Sequence, residues 1–354
     1  MKGEGQKTLA AAILQLLLDQ SSQLFEIGEM GWHELLDVAA RNCVLLRASE
    51  QLRKVGSIPP TFFSEAEKRE RQRAQGQVEL IRTISQVCSA SGLEFIFPKA
   101  FRHYPDMGRD LDLFVLTRSA KVDALLVEAL NASPLKKTFW NRLDGSVCYK
   151  IAGCESPLDI HYRRLGSLGE HGSFLEVILR NSKEITIAGG KFLGPSAEDQ
   201  MILQAMQRVY GRRYIRVSDI VSAISSIRKD DLDWDYLIKT TNALGIFHGL
   251  CCYLSYVNQI HSEVFRSDLL SSGLRNVLIL DGWGKVEFED PYYTFPNVRV
   301  AGWLYSKKLQ AALLSGDFDL ASRLCLTPLA AIASAFRKTS QGLNRGFSTS
   351  RNSE

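Results

Sequence analysis

The chain has 354 residues, 45% of them hydrophobic, enough to bury a sizeable core in about two structural units. Its 43 Lys and Arg against 39 Asp and Glu leave a formal charge of +4, too balanced for a protein that presents a basic face everywhere to nucleic acid, although a local basic site stays open. Seven cysteines with no Cys-x-x-Cys and no ligand-like spacing argue against a disulfide framework or a zinc site and fit a reducing cytoplasm.

Lys2 and Lys7 precede the apolar run Leu9 to Leu18 in the manner of a secretory signal, but Asp19 and Gln20 follow where small residues would be needed for cleavage. Leu9, Ile13, Leu16 and Leu17 recur at helical spacing, so an amphipathic helix is expected. Residues 1–92 read as helical throughout, broken at Ile58-Pro59-Pro60. Ser64 and Glu67 predict a capping box, Leu80, Ile84, Val87 and Cys88 a buried stripe, and Gly92 the stop of the long helix that follows. The charged half of that helix, Glu65 to Arg73, reads as a solvated face.

From Leu93 the period becomes extended. Strands are expected at Leu93–Phe97, Asp110–Leu116, Val147–Ile151 and Leu158–Tyr162, with a helix over 119–131, a turn between Gly153 and Pro157, and a hairpin from Glu184 to Leu193 that turns at Gly189-Gly190. Ser196, followed by Glu198 and Asp199, is the N-cap of a helix, and the chain then reads as mostly helical to about Arg337. The stretch Leu244 to Val257 contains His248 and falls short of the ~20 apolar residues a spanning helix needs, so no membrane insertion is expected. Residues 338–354, rich in Ser, Asn, Gly and Arg, predict a disordered tail. The sum is an α+β chain: an N-terminal helical segment (1–92), a sheet-bearing core (93–195), a C-terminal helical domain (196–337) and the tail.

Several Asp-x-Asp triplets occur. Those around Asp233 and Asp319 stand just before apolar helical patterns, where acids stabilise a helix N-terminus. Asp110 and Asp112 instead lie in a strand pattern whose Leu111, Leu113 and Val115 point one way, so both carboxylates project from the other face. Two readings stand for that pair alone: a strand end neutralised by Arg109, or ligands to a hard divalent cation. Asp159 and His161 share a face in the same way, opposite Leu158, Ile160 and Tyr162. If the two strands are neighbours, three carboxylates converge as a two-metal site requires. With the acids clustered, replacing one by Asn is expected to raise stability without metal. His161 reads as a hydrogen-bond partner that orients the acid beside it. Arg208, Arg212 and Arg213 stabilise a helix C-terminus or contact phosphate. Asp281-Gly282-Trp283-Gly284 is too short for a phosphate loop and reads as a turn.

The segments Leu93–Ala100, Arg109-Asp110-Leu111-Asp112-Leu113 and Leu158-Asp159-Ile160-His161-Tyr162, in that order, resemble an uncharacterised bacterial nucleotidyltransferase family. The resemblance extends over most of the chain, from the helices around Trp32 to Ser196–Ile220 with Asp219. It implies a polymerase-beta-like nucleotidyltransferase core, a small mixed sheet with flanking helices. It also implies transfer of a nucleoside monophosphate from ATP or another nucleoside triphosphate to an acceptor hydroxyl, with pyrophosphate released. Carried over by position, Asp110, Asp112 and Asp159 would ligate Mg²⁺ or Mn²⁺, Asp159 would also be the base, and Lys99, Ala100 and Arg109 would meet the phosphates. Relatives suggest a small molecule, saccharide, protein or RNA as acceptor. Where the family has glycine this chain has Ala100, which keeps a second reading alive: a noncatalytic nucleotide-binding or scaffolding protein on the same fold.

Overall fold

Four helices open the chain: α1 (Lys2–Leu18), α2 (Glu29–Arg41), α3 (Leu45–Lys54) and α4 (Thr61–Ala90). The structure is a computed structural model that describes residues 2–18, 29–117, 120–137, 139–166, 168–289, 291–295 and 298–326, so the tail expected at 338–354 lies outside the described residues. The α4 helix corrects two expectations. It starts behind Pro60, which leaves Ser64 inside the helix with no capping box. Glu67 is buried instead, accepting from Ser49 Oγ at 2.6 Å, Arg53 Nη1 at 3.0 Å and Arg71 Nη2 at 2.9 Å. Burial works against that carboxylate, but these donors hold its pKa down at about 2. The stretch from Glu65 to Arg73 is therefore not a wholly solvated face: it stitches α4 to α3 through Glu67, and through Arg73 to the loop ahead of the next long strand. Gly92 ends α4 with φ +66°, and Leu93 N–H donates to Cys88 O at 3.0 Å, a Schellman closure.

The main sheet is built from β1 (Phe95–Ile96), β2 (Leu111–Val115), β3 (Ala132–Pro134), β4 (Val147–Ile151) and β5 (Leu158–Tyr162), with α5 (Ala120–Leu130) and α6 (Phe139–Asp144) between them. The order is β1-β2-β5-β4-β3, with β2 and β5 parallel and the other pairs antiparallel. Of the strand expected over Leu93–Phe97, only Phe95 and Ile96 pair, because the chain turns away at Pro98.

Beyond the sheet come α7 (Phe174–Arg180) and the hairpin β6 (Lys183–Ile187) and β7 (Gly190–Gly194), then α8 (Ala197–Ala205), capped by Ser196 Oγ accepting from Asp199 N–H at 3.1 Å. A π-helical turn over Met206–Arg212 extends α8. The remaining elements are β8 (Tyr214–Ile215), α9 (Val217–Arg228), α10 (Trp234–Ala243), α11 (Phe247–Phe265), α12 (Ser272–Val277), β9 (Glu287–Glu289), β10 (Tyr292–Thr294), α13 (Val298–Leu314) and α14 (Phe318–Cys325). The small sheet β8-β10-β9 interrupts a region expected to be mostly helical; strands of two or three residues are too short to show a period.

Two hydrophobic clusters organise this mixed α+β architecture. Leu111, Leu113 and Val115 of β2 and Leu158 and Ile160 of β5 pack with Val78, Ile81 and Ile84 of α4, covering one face of the main sheet. The other cluster joins Ile13 and Leu14 of α1 and Val38 of α2 to Ile220 of α9 and Tyr253 and Val257 of α11. The first 92 residues thus contribute to both clusters, and the acid-bearing face of the sheet looks toward the helical one. Among the described residues, no helix is long and apolar enough to cross a membrane.

Candidate active site

Alternation along β2 and β5 sends the leucines and isoleucine into the sheet core and leaves Asp112, Asp159 and His161 on the opposite face. The parallel register sets Asp112 directly beside Asp159 and Phe114 beside His161. One ligand atom from each of Asp112, Asp159 and His161 lies within 4.8 Å of the others. His161 Nε2 is 3.3 Å from Asp112 Oδ1 and 3.6 Å from Asp159 Oδ2. Lys99, in the turn after β1, donates from Nζ to Asp112 Oδ2 at 2.8 Å.

The electrostatics follow from burial. Asp112 is 7% exposed, which alone would favour its neutral form, but the Lys99 charge and the His161 hydrogen bond hold its carboxyl well below the usual range. Burial likewise works against the charged imidazole of His161, and the hydrogen bonds and charges of Asp112 and Asp159 overcome it, lifting the pKa to about 9. Asp112 therefore sits between two cations. Asp159 Oδ1 is different: it is buried and has no hydrogen-bond partner. A buried acceptor left open beside a second carboxylate fits a hard divalent cation with oxygen ligands, such as Mg²⁺ or Mn²⁺.

Asp110 occupies the bend just before β2 and is exposed at the mouth of a cleft that Asp112 and Lys99 also line. It is outside the close trio, yet on its side of the sheet: burial first, then the charges of Asp159 and Asp110, push up the thiol of Cys148, the register partner of Asp159. The bend is held from α4, where Arg73 Nη2 donates to Met107 O at 2.6 Å and Gln77 Nε2 to Gly108 O at 2.8 Å. Arg109 points to solvent, does not line the cleft and makes no ion pair among the described residues. Ala100 lines the cleft and packs against the sheet core, and its φ lies outside the left-handed region, so the backbone conformation there does not require glycine.

The wall of the cleft away from the acid-bearing strands carries Arg102, Arg208 and Arg216. Sequence reasoning missed Arg102 and Arg216 and left Arg208 grouped with Arg212 and Arg213, both of which are exposed. All three wall arginines gather around Asp219 of α9. Arg208 Nε lies 2.6 Å from Asp219 Oδ2, Arg102 Nη2 bonds Asp219 Oδ1, and the backbone N–H of Arg216 donates to Asp219 Oδ2 at 3.0 Å. The available signal was Asp219 itself, an acid inside the apolar pattern Val217 to Ile224, where a buried carboxylate demands a cation.

Residues 28–261 match the family model described as an uncharacterised nucleotidyltransferase, a span that includes both acid-bearing strands, the cleft and Asp219. Neither the curated proteins nor the solved structures contain a match to the chain.

Proposed function

The chain belongs to the uncharacterised nucleotidyltransferase family, and from that premise we propose that it moves a nucleoside monophosphate from a nucleoside triphosphate to an acceptor hydroxyl, with release of pyrophosphate, on a polymerase-beta-like core. The observation that carries this reading is the pairing of Asp112 with Asp159 on adjacent parallel strands, with one buried Asp159 oxygen left without a partner. Asp112 and Asp159 would hold Mg²⁺ or Mn²⁺, with Asp110 at the cleft mouth as a further carboxylate. The ion, when bound, neutralises phosphate charge and lowers the pKa of the attacking hydroxyl.

The protein's own groups divide the remaining work. Asp159 also accepts the acceptor's hydroxyl proton. Lys99 exchanges its bond to Asp112 for a phosphate oxygen as the nucleotide enters, since its ammonium is a third exposed and free to turn. His161 orients both carboxylates.

Titration calorimetry with each nucleoside triphosphate at fixed Mg²⁺ or Mn²⁺ tests the assignment. Metal-dependent binding should vanish in Asp112→Asn. Asp159→Asn should keep part of the binding while its transfer rate falls by about 10² to 10³. Binding in both variants equal to the wild type, with or without metal, would remove Asp112 and Asp159 from the site.

A further inference from the structure

The far wall of the cleft carries more positive charge than its surroundings neutralise. Arg102 and Arg208 have side chains only 4% exposed, and with Arg216 they set three guanidinium groups against the single buried carboxylate of Asp219. Of the other acids along the cleft, Asp106 is paired with Arg47 at 2.9 Å, Asp112 with Lys99 and His161, and Asp110 stands exposed to solvent at the mouth. His103 is no source of compensation, because burial first and then the Arg102 charge hold its pKa down at about 3 and leave it neutral. Burial lowers the Arg102 pKa only to about 10, so this guanidinium stays charged at neutral pH.

The hydrogen bonding is equally incomplete. Arg216 meets only neutral atoms through its terminal nitrogens, Cys43 Sγ and the Tyr214 hydroxyl, each at 3.4 Å, and its Nε is buried with no partner. His103 accepts from Arg102 Nε at 2.8 Å through Nε2, which also lies 3.4 Å from Asp219 Oδ1, and its Nδ1 is buried with no partner. Buried charges are ordinarily paired and buried donors ordinarily bonded. Buried positive charge in excess of Asp219, with two buried nitrogens left without partners on the wall of one cleft, describes a site for an anion with several acceptor oxygens.

We propose that Arg102, Arg208 and Arg216, with His103 as a neutral donor, form an oligophosphate subsite that grips the terminal phosphates of the nucleotide, and that Asp219 is the positioning residue that spaces the three arginines. This rests on the nucleotide reading of the same cleft, and it assigns the phosphate grip to a wall of the fold that contains neither Arg109 nor the acid-bearing strands. Sited there, the subsite holds the leaving pyrophosphate while Asp112 and Asp159 face the phosphorus under attack.

The test uses the full chain in EDTA with inorganic triphosphate, then pyrophosphate, as calorimetric probes, so that neither metal nor turnover is needed. Inorganic triphosphate should bind, should raise the melting temperature by compensating buried charge, and should be displaced by ATP. Arg216→Gln should weaken triphosphate binding by about tenfold to a hundredfold, the range for a lost charged hydrogen-bond partner. Should Arg216→Gln not fold, Arg216→Lys, which keeps the charge and loses the fork, should show an intermediate loss. The proposal is overturned if the wild type binds no triphosphate, if folded Arg216→Gln or Arg216→Lys binds it as the wild type does, or if no nucleoside triphosphate displaces it, which would give the site to a phosphorylated acceptor. A protein that transfers no nucleotide but shows the displaceable, Arg216-dependent binding would fail the transferase reading and keep this one. Transfer with an unchanged nucleotide KM in Arg216→Gln would do the reverse.

Discussion

Asp112→Asn in the absence of metal separates two pictures of the acids. Were they an uncompensated cluster of negative charge, as the sequence pattern alone suggests, removing one would relieve repulsion and stabilise the fold. In the structure Asp112 is instead the shared acceptor between Lys99 Nζ at 2.8 Å and His161 Nε2 at 3.3 Å. Its loss forfeits a charge-assisted hydrogen bond to His161 of about 1.5–3 kcal/mol. The Lys99 pair adds up to about 1 kcal/mol, discounted because that ammonium is about a third exposed and rehydrates. A loss of roughly 2–3 kcal/mol is expected, read by urea unfolding in EDTA with unchanged m-value. The His161 share has a sign that pH can check. With its folded pKa raised to about 9 from 6.5, that contribution is complete below pH 6.5 and is lost as the pH rises through 9, so the gap between variant and wild type should narrow there. Asp110→Asn, at an exposed position, should stay within about 0.5 kcal/mol of the wild type. An Asp112→Asn protein as stable as the wild type in EDTA, or more so, would refute the compensated geometry.

Ala100→Gly should bring no gain in nucleotide affinity and should cost about 0.4–1 kcal/mol through the freer unfolded chain; a clear gain in affinity by calorimetry would show that the methyl obstructs the phosphates after all. Acid should destabilise the fold well before the carboxylates titrate. His103 and His171 are both held near pKa 3 from 6.5, chiefly by burial, so the stability tied to their neutral forms is present above pH 6.5 and is lost as the pH falls toward 3. Each contributes a slope of up to about 1.4 kcal/mol per pH unit, and His103→Gln with His171→Gln should flatten the dependence between pH 6.5 and 4.5; an unaltered slope in chemical denaturation would contradict it. Asp233→Asn should change stability by only a few tenths of a kcal/mol in a thermal melt, because asparagine caps as well as the aspartate that now accepts from Tyr236 N–H at 2.8 Å.

What could be read from the sequence was what a strict local period encodes. The two-residue alternation of Leu111 to Val115 and of Leu158 to Tyr162 already separated Asp112, Asp159 and His161 from the core side chains. It could not say that Asp110 would fall one residue short of the strand and be left at the cleft mouth, since strand ends are fixed by tertiary pairing; here that pairing is the register of Leu111 with Leu158. Nor could it say that Lys99 and His161 would neutralise Asp112, a contact between three separate segments. The long helix was visible from its buried stripe and from Gly92, whereas its start was obscured because Glu67 serves a buried partner set and not a cap. The arginine wall was the least legible part. Arg102 comes from a loop, Arg208 from a π-helical turn and Arg216 from a helix cap, so only the fold shows that they share one carboxylate.

Transfer of a nucleotide at the paired acids is followed by covalent label. The protein is incubated with each α-labelled nucleoside triphosphate, with Mg²⁺ or Mn²⁺, and with an extract of the source cells as acceptor. A labelled product is expected with at least one nucleotide, dependent on the added ion, lost in Asp112→Asn and strongly reduced in Asp159→Asn. No labelled product with any of the nucleotides, or equal labelling by the wild type and Asp112→Asn, would contradict it.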